Sequence, residues 1–408
     1  MNAASIWKTN SPEVTFPRLE RDIEVEIVII GGGITGISAA QLLTSEGKRV
    51  VVLEAARVGL GTTGYSTGNL HATVDEKLHS IEQKWDRPSA AQVVKARTAM
   101  IDFIERTISE FQIDCGFVRR PHYLFALDTS QADQLTDELK ALQNSGLHAE
   151  VAPDLALSFP VNRVVRIDGQ AQFNPLAYVR SLAKAIESDR CMIFEESQAI
   201  DINEKALMVS TAHGTVRAAA IIMATHTPKG FNLLQTELGP YREYGIAARL
   251  KEDYYPDGLF WSLEEPSHSI RSYDAAGKKY LVVIGEEHKV GQQDSRVDYF
   301  QNVEDFARAH FNVDAVTHRW SAQNYKPADG LPYIGRSIGS DQIYVATGFA
   351  TNGLLYGVLG GSIIADIVLR KKNPWQDLFN PRRFTPAKST IKFMAENFNV
   401  ANEYFRDY

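Results

Sequence analysis

The sequence predicts an α/β protein: a Rossmann-like domain on a buried parallel sheet, carrying an inserted α+β domain built on an antiparallel sheet. Three observations predict it. Val25–Glu54 reads as strand, glycine turn, helix and strand. Residues 343–369 repeat a strand–glycine–helix arrangement near the other end of the chain. Between them, residues 240–320 form longer, alternating apolar and polar runs.

In the first unit, the apolar run Ile27–Ile30 leads into Gly31-Gly32-Gly33-Ile34-Thr35-Gly36, a G-x-G-x-x-G pattern. Ile34, Ile37, Ala40 and Leu43 then recur at threes, which makes one apolar helix stripe. Gly47 ends that helix, with Lys48 and Arg49 near its negative end. Val50–Leu53 is the second strand and Glu54 closes it, 18 residues after Gly36. Gly31 permits a tight turn, Gly33 lets backbone approach a pyrophosphate, and Gly36 lets the helix pack on the strand. Free N–H groups at the start of the helix, at Ile34 and Thr35, attract phosphate charge. Glu54 can accept hydrogen bonds from a ribose diol. The unit therefore predicts a dinucleotide site, with NAD and FAD both open.

Composition bounds the rest. The 408 residues suffice for two or three domains, and 44% hydrophobic with 23% charged residues is ordinary for a globular chain. A net charge of −7 argues against nucleic acid or anionic membrane as a partner. Two cysteines, Cys115 and Cys191, cannot supply a disulfide framework or a cysteine-ligated cluster, and no metal site is expected. They fit a reducing, cytoplasmic setting. No secretory leader is expected in the first 24 residues, which read as an extended lead-in. Gly353–Leu369 is apolar but carries three further glycines and Asp366, and reads as a buried helix instead of a membrane span.

Ala55–Thr73 interleaves Gly59, Gly61, Gly64 and Gly68 with Thr62, Thr63, Ser66, Thr67 and Asn69, followed by Leu70. Glycine and hydroxyl residues at this density suit a loop wrapping a ligand. Helices are expected over 89–111, 130–145 and 301–311, with a strand over Phe117–Leu127. Pro175 opens a helix over Leu176–Glu187, followed by short strands at Met192–Phe194 and Ala199–Ile202. Ala218–Thr225 reads as a buried parallel strand delivering Ala224, Thr225 and His226 to a ligand. His268–Tyr273 and Lys279–Glu286 flank Gly277 as a hairpin, with Arg271 and Tyr273 on one face and Ile270 and Ser272 on the other. Ile343–Thr347 is a second buried strand, followed by Gly348 and then by Asn352, Gly353 and Leu354 at the start of the last helix. The tail carries a further helix near 388–399. The expected division is 1–85, 146–230 and 320–385 for the dinucleotide domain, 86–145 and 231–319 for the inserted domain, and 386–408 as tail.

The motifs VIIGGGITGISAAQLL, VVLEAARVGLGTTGYSTGNL, QAQFNP, IIMATH, RWSAQNYKPADGLPYIGR and VATGFATNG resemble the FAD-dependent oxidoreductases of the D-amino-acid oxidase superfamily. SIRSY, GEEHKVGQ and NPWQDLFNPRRF are similar to a bacterial subgroup fused to a C-terminal Rieske domain. The resemblance covers nearly the whole chain and implies the glutathione-reductase-2 type of fold. It implies non-covalent FAD and oxidation of a C–N bond, or less often a C–O bond. The substrate would be a small amine or amino acid, with oxygen or a separate acceptor taking the electrons. The subgroup's Rieske part is absent from the 408 residues. A dehydrogenase of hydroxy acids or polyol phosphates, related by fold, stays open, and the missing Rieske part keeps open an electron-transfer flavoprotein with an iron–sulfur partner.

By the same resemblance, Gly31, Gly33, Ile34, Thr35 and Gly36 hold the pyrophosphate, and Glu54 with Ala55 the adenosine ribose. Ala199 meets the adenine. Thr62, Thr63, Ser66, Thr67, Gly68, Asn69 and Leu70 wrap the middle of the cofactor. Ala224, Thr225, Gly348, Asn352, Gly353 and Leu354 lie along the flavin. Three residues are candidates for catalysis. Arg271 could clamp a substrate carboxylate with Tyr273 beside it, or be a solvated edge-strand arginine. His226 could lie near the flavin or be a satisfied structural histidine. Arg57 suggests a partner for a 2′-phosphate, which Glu54 would repel.

Overall fold

A computed structural model describes residues 4–152, 157–227, 234, 237–275, 277–291 and 297–383. The expected tail helix lies outside the described residues. Two sheets organise the chain. In the first, the order is Tyr333–Arg336, Ile343–Thr347, Thr215–Met223, Ile23–Ile30, Val50–Leu53, Cys191–Phe194. The pairs are parallel except the first, and a short hairpin of Asp201–Asn203 and Met208–Ser210 extends Thr215–Met223. Strand order reverses around Ile23–Ile30. A ligand crevice is expected outside the carboxyl ends at such a switch point.

Why these strands are central is visible in their residues. Val50–Leu53 is buried throughout, as are the last four residues of Ile23–Ile30, so neither face meets water. Two helices cover one face, Ile34–Ser45 and Gly353–Val368. They approach closely because Gly357 faces Ile34 and Thr35: a Cβ there would come within 2.7 Å of the Ile34 side chain. The apolar helix is thus an internal one, packed as the glycines in its sequence suggested. Asn174 caps the helix Pro175–Ile186, its Oδ1 accepting from the N–H groups of Leu176 and Ala177.

The second sheet runs Val313–Pro327, Leu238–Leu250, Lys278–Lys289, Ser269–Ala275, Leu259–Ser262, Val118–Ala126, Arg163–Gln172, Asn69–Leu70, with Ala149–Val151 also on Arg163–Gln172. It is antiparallel but for Leu259–Ser262 beside Val118–Ala126. Its membership departs from the expected division. Asn69–Leu70, Ala149–Val151 and Arg163–Gln172 join this sheet, although the sequence placed them with the dinucleotide domain. Burial alternates over Val165–Asp168 and Gly169 is exposed, and a strand with part of one face wet suits an antiparallel partner. One face of the sheet packs on the helix Tyr299–His310 through Ile246, Ile270, Leu281 and Val303. The opposite face carries Tyr273, Val282, Ile284 and Trp320 toward the first sheet.

Residues 6–10 correct the expected extended lead-in: Ile6–Asn10 is a 3₁₀ turn with Ile6 and Trp7 fully buried. Trp7 packs edge-on against Tyr273 and its indole N–H donates to the Ser66 carbonyl.

A pair of buried histidines gives the fold a pH dependence. His71 and His122 stack at 4.6 Å beside Trp261. Burial, aided by the charges of Lys77 and Arg97, pushes His122 down to about 3, and burial with His122 and Arg97 nearby pushes His71 well below its usual range. Both are therefore neutral at pH 7. Below about pH 6.5 the unfolded chain binds protons that the folded chain refuses, so stability falls with pH toward about 3. Each unprotonated histidine contributes up to about 1.4 kcal/mol per pH unit. Urea melts between about pH 7 and pH 5 should show this slope, and His122→Phe should reduce it.

Candidate active site

A cleft of about 320 Å³ lies between the two sheets, within the range of small-molecule and cofactor sites. It starts at the carboxyl ends of Ile23–Ile30 and Val50–Leu53 and ends against the second sheet. Its lining includes Gly31, Gly33, Ile34, Thr35, Glu54 and Ala55 at one end, with Gln198 and Ala199 beside them. Thr62, Thr63, Ser66 and Thr67 line the middle, and Ala224, Thr225 and His226 lie opposite. Gly353 and Leu354 stand at the start of the last helix, next to Ala350 and Thr351.

The glycine turn is specified by contacts. Gly31 has φ +112, and a Cβ on it would meet the Ala224 carbonyl oxygen at 2.4 Å. Glu54 accepts from the N–H of Gly32 at 2.7 Å and of Ala56 at 2.9 Å, so its carboxylate is fixed beside the turn. The helix Ile34–Ser45 has no side-chain cap at Gly33, while Thr63 Oγ1 accepts from the Ile34 N–H. The last helix also lacks a side-chain cap, at Asn352. Two helix N-termini thus open on one cleft, a favourable field for anionic groups. Arg57 is not free for a phosphate: it pairs with Glu195 at 2.8 Å and Glu196 at 3.1 Å.

Several expected site residues lie elsewhere. Gly36 does not line the cleft; it sits against Gly31, where a Cβ would come 1.9 Å from the Gly31 oxygen. Gly68, Asn69 and Leu70 leave the cleft because the chain turns there into the second sheet, pairing with Gln172 and Ala171. Gly348 packs against Leu238 with φ +75. Asn352 is buried, its Oδ1 accepting from Arg97 at 3.0 Å.

The largest displacement concerns Arg271 and Tyr273. They share a sheet face as alternation requires, and Ile270 is on the other. Trp7 fills the space in front of them, with the Arg271 guanidinium 5.1 Å from the Trp7 ring. Arg271 is 1% exposed and donates to the carbonyls of Gly68 at 2.7 Å and Thr67 at 3.2 Å. The Tyr273 hydroxyl accepts from Asn174 Nδ2 at 3.0 Å. Neither residue lines the cleft. His226 does, but its Nε2 is engaged with the Gln323 carbonyl at 3.0 Å and burial lowers its pKa. It serves as a neutral wall group.

Apart from Gln323, a pocket candidate in the sequence, the far wall was missed. Glu243, Gly245, Ile284, Trp320, Ala322, Gln323 and Asn324 close the cleft from the second sheet. A signal was available: Glu243, Gly245 and Ala247 fall on one face of an alternating strand, and a carboxylate there points inward with the small residues. Burial, together with Glu287 and Asp75, holds the Glu243 carboxyl well above the usual range, against the opposing pull of Lys326.

The family model of FAD dependent oxidoreductases matches residues 26–367. YhfW of Bacillus subtilis (strain 168), named as a Rieske 2Fe-2S iron-sulfur protein, is 30% identical over 405 residues, covering 98% of this chain and 79% of its own length. The gamma-glutamylputrescine oxidoreductase of Escherichia coli (strain K12) is 28% identical, covering 86% of this chain and 85% of its own. The crystal structure of glycine oxidase from Geobacillus kaustophilus superposes with a TM-score of 0.73 at 22% identity, over 89% of this chain and 99% of that one, which shows the shared fold.

Proposed function

Because this chain belongs to the FAD-dependent oxidoreductase family, we propose that it oxidises a C–N bond of a small amine or amino acid. One observation carries the reading: a single cleft runs from the Glu54 turn to a separate wall at Glu243, leaving two chemically different ends. The residues fit FAD. Glu54 and the Gly31–Gly33 turn would hold the adenosine ribose and pyrophosphate, with phosphate charge met by helix N–H groups since no lysine or arginine lines the cleft among the described residues.

When bound, FAD supplies the two-electron acceptor for the C–N bond. The chain's own groups do the rest. N–H groups at Gly353 and Leu354 stabilise negative charge at the end of the last helix. Trp320, whose indole N–H donates to the Tyr65 carbonyl at 3.1 Å, ties the far wall to the loop and keeps water out. Electrons then leave to oxygen or to a separate acceptor; the Rieske name of the B. subtilis relative favours an iron–sulfur partner. The test is anaerobic mixing with a panel of amines, amino acids and hydroxy acids. Bleaching of the flavin absorbance by nitrogen compounds alone is expected, and bleaching by hydroxy acids alone would defeat the proposal.

A further inference from the structure

We infer that Glu243 is the specificity-determining residue of the cleft, selecting a substrate whose reacting end is a cationic amine without a neighbouring carboxylate. The inference rests on the C–N oxidation proposed above and narrows its substrate class. Three observations on the far wall support it.

First, among the described residues the ionisable side chains lining the cleft are Glu54, Glu243, His226 and Tyr65. Glu54 is committed to the glycine turn and His226 to the Gln323 carbonyl. Glu243 is then the one carboxylate open to a ligand, and among the described residues its oxygens form no hydrogen bond or ion pair.

Second, the cation nearest in charge to Glu243 is already spent. Lys326 donates to Asp75 at 2.8 Å and to Glu287 at 2.5 Å, and Asn324 donates to Glu287 at 3.0 Å. Counting Glu243, three carboxyl groups face one ammonium, which is why the Glu243 carboxyl is held well above the usual range. A second cation at the wall would complete the balance, and an alkylammonium supplies one.

Third, among the described residues no guanidinium or ammonium lines the cleft to meet a substrate carboxylate. Arg271 is turned to the Thr67 and Gly68 carbonyls behind Trp7, and Arg97 is buried against His71 and Asn352. An α-amino acid would bring its carboxylate to a wall where three carboxyl groups already share one ammonium. Like charges juxtaposed at close range disfavour binding strongly. The same argument disfavours hydroxy acids and phosphate esters.

The test uses the FAD-loaded enzyme and Glu243→Gln, which keeps the side chain's shape. Propylamine and putrescine are compared with glycine and alanine, by the rate of anaerobic flavin bleaching and by flavin absorbance shifts with butylamine read at mixing times too brief for turnover. The wild type should be bleached by the amines and not by the amino acids. Glu243→Gln should raise the apparent Kd for the amines by roughly 30-fold or more, as expected for loss of one partner of a desolvated charge pair, while keeping its flavin spectrum. Equal bleaching by glycine, or an unchanged Kd in Glu243→Gln, overturns the inference and leaves C–N oxidation standing. If nothing bleaches but butylamine still shifts the wild-type spectrum and not the variant's, C–N oxidation fails and the role of Glu243 in binding cations survives. If nothing bleaches and no amine shifts either spectrum, both fail.

Discussion

Replacing Gly36 with alanine is expected to abolish FAD retention and to destabilise the chain by roughly 3 kcal/mol or more. The reason is a single close contact. An added Cβ would sit 1.9 Å from the Gly31 carbonyl oxygen and 3.2 Å from the Ile29 side chain. The first of these is backbone, so no rotamer change relieves it. Relief requires the helix Ile34–Ser45 to move off the strand Ile23–Ile30, and that helix also carries Gly357 of the last helix against Ile34 and Thr35. The displacement would therefore spread to both helix N-termini that open on the cleft. Absorbance of purified protein at the flavin band, relative to protein absorbance, measures retention, and urea melts measure the loss. A variant that keeps stoichiometric flavin and an unchanged midpoint would show that the turn is not the cofactor's cradle.

The second large effect is expected from Arg271→Ala, and its kind matters more than its size. Had Arg271 faced the cleft, the change would raise KM for a carboxylate substrate. Its actual contacts predict a loss of stability of about 3 kcal/mol with KM for amines nearly unchanged. Removing the guanidinium leaves the buried carbonyls of Thr67 and Gly68 without these donors and opens a cavity beneath Trp7. Against this stands relief of charge burial, which already lowers the Arg271 pKa to about 9. A well-packed apolar replacement can offset such a loss, so Arg271→Met should fall well short of Arg271→Ala. Thermal unfolding of both variants beside steady-state kinetics separates the outcomes. A steep rise in KM with unchanged stability would return Arg271 to the active site.

Much of the dinucleotide end was legible without coordinates. Gly31, Gly33, Glu54 and the hydroxyl residues Thr62–Thr67 are close in sequence, and spacing within one βαβ unit fixes their mutual geometry. The returning strand Ile343–Thr347 was legible too, because a strand buried on both faces is an unbroken apolar run. Alternation correctly put Arg271 and Tyr273 on one face of their strand.

What alternation could not decide is what stands in front of that face. That was settled by Trp7, more than 200 residues earlier, and by the Gly68 carbonyl, both brought there by packing between the sheets. Glu243 was hidden for the converse reason. In sequence it is one charge in a half-polar strand; its chemistry arises from Glu287, Asp75 and Lys326, contributed by three other segments of the chain. The sequence by itself determined the cofactor end, since local backbone geometry and short-range spacing specify it. Only the tertiary structure decided the proposed substrate end, since its charge balance is a sum over residues that meet through folding alone.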